Sequence, residues 1–134
     1  MHAKHLLISS GLVEICWAIV LGWYLALSII ARPRKIPPFN NFRRVLQAHI
    51  DYILMGMLQM GVAVATSDVM VLPDWVVKMF VFGAWANASS FLIFAVSEDY
   101  VNYMVVKIFS VISFLSLTIV FPYIAMEYIS KTME

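Results

Sequence analysis

Charge is what this sequence has least of. Only 13% of its 134 residues are Asp, Glu, Lys or Arg, against about 25% in an ordinary soluble domain. Nine basic and eight acidic side chains nearly cancel, so no net field points to nucleic acid as a partner. Cysteine is almost absent. The lone Cys16 excludes an internal disulfide and a cysteine-only metal cluster, and its apolar surroundings suit a thiol packed as a small hydrophobe. No repeat or low-complexity segment is present.

What fills the chain instead is hydrocarbon: 63% of residues are apolar. A chain of this kind has too little polar surface to cover a core, and a bilayer removes that requirement because lipid tails solvate the outside. A hydrocarbon layer of about 30 Å takes about 20 helical residues to cross. Four runs are long enough: about 6–30, 45–67, 75–96 and 101–128. Pro33, Pro37 and Pro38 break the helix in the first connection and Pro73 in the second. Short connections make neighbouring helices antiparallel. The expectation is one domain, 1–134, an all-α integral membrane four-helix bundle in contact with the lipid bilayer.

The first run starts after Lys4 and resembles a secretory leader only superficially. Glu14 interrupts it, it continues past leader length, and no A-x-A cleavage pattern follows. It is read as a retained span. Arg32, Arg34, Lys35, Arg43, Arg44 and Lys107 gather toward one end of the bundle, and Lys4, Lys78 and Lys131 toward the other. The excess of basic residues predicts a cytoplasmic first connection. Trp23, Tyr24, Trp75, Tyr100, Tyr103, Tyr123 and Tyr128 fall near span ends, where interfacial aromatics belong.

Polar groups within spans are costly and call for a reason. Glu14 shares a helical face with Ser10, Trp17, Ala18 and Leu21, which marks a contact side. It is read either as a carboxyl kept neutral or bonded to a neighbouring helix, or as a proton-transfer group. In the second span His49, Tyr52, Gly56 and Met60 fall on one stripe, and Arg44, Gln47, Asp51 and Met55 on another. Asp51 is expected to fold back on Arg44 or Gln47. His49 has two readings: an imidazole bonded to a backbone carbonyl of the next helix, or the ligand of a flat cofactor lying on the glycine-relieved surface. In the third span Asn87 needs a partner, with His49 or a cofactor edge as candidates. Ser110, Ser113 and Ser116 mark a helix contact in the fourth, where Pro122 removes a backbone bond.

The stretch AHIDYILMGM at 48–57, with Ala48-His49 and Gly56-Met57, and the stretch AWANASSFLIF at 84–94, with Trp85-Ala86-Asn87 before an aromatic run, resemble the two signature stretches of the styrene oxide isomerase family. Those are small four-helix membrane enzymes, and hydroxylaminobenzene mutase is similar in type. The resemblance covers the second and third spans, and the outer two only by length and apolarity. It implies that His49 binds haem b at a subunit interface of a homotrimer in a bacterial cytoplasmic membrane, with ferric iron acting as a Lewis acid on a small lipophilic substrate. It also implies a pocket on the open iron face lined by Tyr52, Gly56, Gly83, Asn87, Ser90 and Phe91, with Trp85 close by and with Asn87 and Tyr52 as the catalytic polar groups. The chain departs from the family where it carries Met55 for an Asn, Gly83 for an Asp and Phe91 for a Tyr. Those exchanges remove groups that would position an epoxide oxygen, so a different oxygen- or nitrogen-bearing substrate is expected. The competing classes are an electron-carrying cytochrome, which asks for a second axial ligand that His2 and His5 lie too far away to supply, and a non-catalytic membrane subunit or haem carrier whose polar residues serve packing or cofactor holding only.

Overall fold

The computed structural model describes residues 2–31 and 36–133. Four helices follow in chain order: α1 (His2–Ala31), α2 (Phe42–Ala65), α3 (Asp74–Val96) and α4 (Met104–Thr132). All four are long and apolar enough to cross a membrane. They form an antiparallel bundle. One apolar cluster at one end joins Leu7, Ala63, Val76, Phe80 and Val120, and a second at the opposite end joins Leu21, Leu25, Val45, Ala48 and Ala95.

The ends depart from the expected runs for local reasons. α2 begins at Phe42, ahead of the expected 45, because the Asn41 side chain accepts the Arg44 backbone N–H at 3.2 Å and caps it. α4 begins only at Met104 because Glu98–Asn102 forms a 3₁₀ turn, with the Ser97 hydroxyl accepting the Asp99 N–H. Asn40 and Asn41 also close the far end of α3. Their backbone N–H groups donate to Ala95 O at 2.7 and 3.1 Å, and the Asn40 amide donates to Val96 O at 2.8 Å, satisfying carbonyls that a helix C-terminus leaves open. Tyr24 pins the same connection by donating to Ile36 O and meeting the Phe39 ring edge-on.

α1, α3 and α4 are apolar nearly all round, so hydrophobicity does not distinguish their contact faces. Residue size and polarity do. The buried residues of α1 are Leu7, Gly11, Glu14, Ala18, Leu21, Leu25 and Ser28, which alternate steps of four and three. In α2 they are Val45, Ala48, Tyr52, Gly56, Gln59 and Ala63, again in steps of three and four. This is the spacing of a coiled-coil seam, here built largely from small and polar residues, as membrane helix contacts are. The outward faces carry Leu12, Ile19, Val20, Ile108, Ile112 and Leu115, each about half exposed. Apolar side chains outside and Glu14, Gln59, Asn87 and Ser113 inside is the distribution a bilayer selects.

α1 packs on α2, α2 on α3 and α3 on α4, with α1 also touching α3; among the described residues α4 meets no other long helix. Ser113 of α4 donates to the Gly83 carbonyl at 3.3 Å and Ser116 is buried at the same contact, as the serine spacing predicts. Arg43, Arg44 and Lys107 stand at one end of the bundle, and Lys4, Lys78 and Lys131 at the other. Arg32, Arg34 and Lys35, on which the expected orientation also leans, lie outside the described residues.

The tightest contact is between two backbones. A Cβ on Gly56 would stand 2.7 Å from Gly11 O and 3.0 Å from Ile15 Cγ1, and one on Gly11 would stand 2.5 Å from Gly56 O. Gly61, on the same helix, has open space where a Cβ would go. Gly56→Ala is therefore expected to lower stability by about 1–3 kcal/mol through overpacking. Gly61→Ala should leave it unchanged or raise it by up to about 1 kcal/mol through helix propensity. Thermal unfolding of both variants in detergent checks the contrast.

Candidate functional site

Between the two apolar clusters, α1, α2 and α3 share a polar layer. Trp85 Nε1 donates to Ser10 Oγ at 2.9 Å, joining α3 to α1. The Tyr52 hydroxyl bonds Ser89 Oγ at 2.7 Å, joining α2 to α3, and its ring meets Trp85 edge-on at 5.6 Å. Asn87 Nδ2 donates to Asp51 Oδ2 at 2.6 Å. Each bond gives an intramembrane polar group a partner that lipid could not offer.

Asp51 corrects an expectation. It was expected to fold back on Arg44 or Gln47, but those two bond each other, Arg44 Nη1 donating to Gln47 Oε1 at 2.9 Å. Asp51 instead faces α3. The Asn87 amide, expected to seek His49 or a cofactor edge, takes Asp51 as its partner. An amide donor near the middle of a span and a carboxylate acceptor on the next helix outcompete a pairing that water at the interface would weaken.

His49 sits on the other side of α2. Its Nδ1 lies 2.8 Å from Ala18 O of α1. A carbonyl oxygen can only accept, so this bond puts a proton on Nδ1, and in the neutral ring the lone pair is then on Nε2. The ring lies against Gly22, where a Cβ would stand 3.1 Å from His49 Cε1. Gly22 is thus the position on α1 that admits the imidazole. With Ile19, Trp23 and Ala26 it also lines a shallow lipid-facing hollow of about 350 Å³.

The six residues expected to surround one pocket are not brought together. Gly56 is consumed by the crossing with Gly11, and Gly83 packs on Ser116 and Leu117 of α4. Ser90 donates to Ala86 O within its own helix and faces Ser110 of α4. Tyr52 turns to Ser89. Asn87, Ser90 and Phe91 do share an apolar groove of about 470 Å³ between α3 and α4, together with Phe94, Lys107 and Phe114, but His49 is not part of it. The residues share a nominal helical stripe. α3, however, lies against α2 on one side and α4 on the other, and the stripe is divided between them.

Two groups escaped the sequence reading. Gln59 is completely buried on the α1–α2 seam beside Glu14, and none of the side-chain nitrogen or oxygen atoms of this pair has a hydrogen-bond partner. An amide standing in the apolar run MLQMGV was the available signal. The second is the clasp formed by Asn40 and Asn41.

No protein-family model and no curated protein matches this chain. The protein belongs in a membrane. That conclusion rests on its four spans and on the inversion of polar and apolar residues described above.

Asp51 and Asn87 yield a direct test of the polar layer. Asn87→Leu should destabilise the protein by about 1–3 kcal/mol by leaving a buried acceptor without its donor. Asp51→Leu combined with Asn87→Leu should recover part of that loss. A double-mutant cycle from thermal unfolding in detergent measures the coupling.

Proposed function

We propose that the protein is a haem b-binding integral membrane protein in which His49 Nε2 would hold the iron, serving an isomerase or mutase reaction on a small lipophilic substrate. The observation that supports this reading is the His49 Nδ1–Ala18 O bond. Metal-ligating histidines characteristically give their other ring N–H to a carbonyl or carboxylate, which fixes the tautomer and the ring plane. Among the described residues no three His, Cys, Asp or Glu side chains cluster to hold a bare ion. A solitary imidazole suits a porphyrin, which brings four ligands of its own.

His49 is half-buried, and the neighbouring surface of α1 at Ile19, Gly22, Trp23 and Ala26 opens toward lipid. A flat macrocycle there would be covered by a second copy of the chain, in keeping with the trimer that the family resemblance implies, with the first connection on the cytoplasmic side. A ferric haem held there by His49 would supply Lewis-acid chemistry. The chain's own contribution is orientation and dryness: Ala18 holds the imidazole, Gly22 gives it room, and Ile19 and Trp23 exclude water and favour an apolar substrate. Tyr52 and Asn87 are engaged with Ser89 and Asp51 on the α3 side, so a catalytic part for either requires those bonds to open. The competing reading is a membrane subunit in which the same His49–Ala18 bond only ties α1 to α2.

The two readings separate by colour. The purified protein is expected to show a Soret band, and His49→Ala should abolish it while the protein remains folded and extractable. Full haem content in that variant would move the ligand elsewhere, and a colourless wild-type protein after haem supplementation would leave the packing reading. With Met55, Gly83 and Phe91 where the family carries polar groups, conversion of styrene oxide to phenylacetaldehyde by the haem-loaded protein is expected to fall well below about 1 per second, the low end of ordinary enzyme turnover. Product formation followed by gas chromatography checks this.

A further inference from the structure

We propose that Glu14 and Gln59 form an intramembrane proton-binding site, in which the Glu14 carboxyl carries a proton and donates it to the Gln59 amide oxygen. Both side chains are 0% exposed, and the two carboxyl oxygens, the amide oxygen and the amide nitrogen all lack a hydrogen-bond partner. Buried polar atoms are rarely left so. The site stands independently of haem.

The antiparallel seam brings the two groups together. Helical side chains lean toward the N-terminus of their own helix. Glu14 follows Gly11, and Gln59 follows Gly56, on opposite sides of the glycine crossing. In antiparallel helices the two side chains therefore lean toward each other across it, which sets the carboxyl beside the amide.

The surroundings decide which occupant completes the pair. From α2 the titratable groups near Glu14 are Asp51 and Tyr52, with His49 bonded to Ala18 further along α1. Among the described residues α3 contributes only neutral groups, Trp85 and Asn87, and α4 does not reach α1. No Lys or Arg of the described residues stands on this layer; all lie toward helix ends. An ionised Glu14 would be an uncompensated charge with a second acid beside it. A hard cation would find one carboxylate and one amide oxygen, short of the about six oxygens such ions take. A single proton suffices. The carboxyl O–H then donates to the amide oxygen, and the amide N–H donates to the carboxyl C=O, which gives all four orphaned atoms a partner.

The test uses the wild-type protein in lipid nanodiscs at neutral pH. Infrared spectroscopy should show the C=O stretch of a protonated carboxyl, shifting on exchange into D₂O. The band should be lost in Glu14→Gln and move to higher frequency in Gln59→Leu, where the amide bond is gone. Absence of the band in wild type, its persistence in Glu14→Gln, or an unmoved band in Gln59→Leu would each overturn the proposal, as would a sodium-dependent thermal shift in place of the band. If Glu14→Gln does not fold, dicyclohexylcarbodiimide, an apolar reagent for protonated carboxyls, decides on wild type. An adduct mapped to Glu14 supports the site, and labelling of Asp51 alone, or of neither, rejects it.

Discussion

The close approach of Gly11 and Gly56 governs the rest of the bundle. With lipid tails as apolar as the side chains, helices in a membrane gain little from hydrophobic burial and associate through van der Waals contact and hydrogen bonds. Both need near backbones. The glycine pair removes the side chains that would hold α1 and α2 apart, and further along the seam Ala18 and Gly22 admit the His49 ring. Because the helices touch at the glycines, Glu14 and Gln59 are sealed from lipid on either side of the crossing.

The polar layer follows from the same constraint. A hydroxyl, amide or carboxyl inside a span must find a partner within the protein, and the bonds Trp85–Ser10, Tyr52–Ser89 and Asn87–Asp51 tie α3 to both earlier helices. Among the described residues α4 has no such tie to α1 or α2. Its contact with α3 combines Ser113 and Ser116 over Gly83 with apolar packing of Val120 and Phe121 on Phe80, and a groove lies beside it.

The layer also divides the polar residues of α2 between its two neighbours. His49 packs against Ala18 and Gly22 of α1, whereas Asp51, Tyr52 and Asn87 make their bonds between α2 and α3. Neighbouring residues on one helix thus belong to different environments: a half-buried imidazole bonded to α1, and a polar network that ties α2 to α3.

The sequence alone determined the class, the number of spans, their approximate limits and the serine contact of α4. Each depends on composition and local spacing, and a bilayer enforces both without reference to distant residues. It also carried the signs of the α1–α2 seam, since steps of three and four between small and polar residues are present in the chain. They were hard to read because the intervening positions are equally apolar or more so. Only the tertiary structure decided the partners. Asp51 had a basic residue on its own helix and Asn87 on another, and Gly83 shared a stripe with residues that proved to face elsewhere. Helical periodicity specifies which residues point the same way, but which helix stands opposite depends on where two backbones can meet, and here that was settled by Gly11 and Gly56.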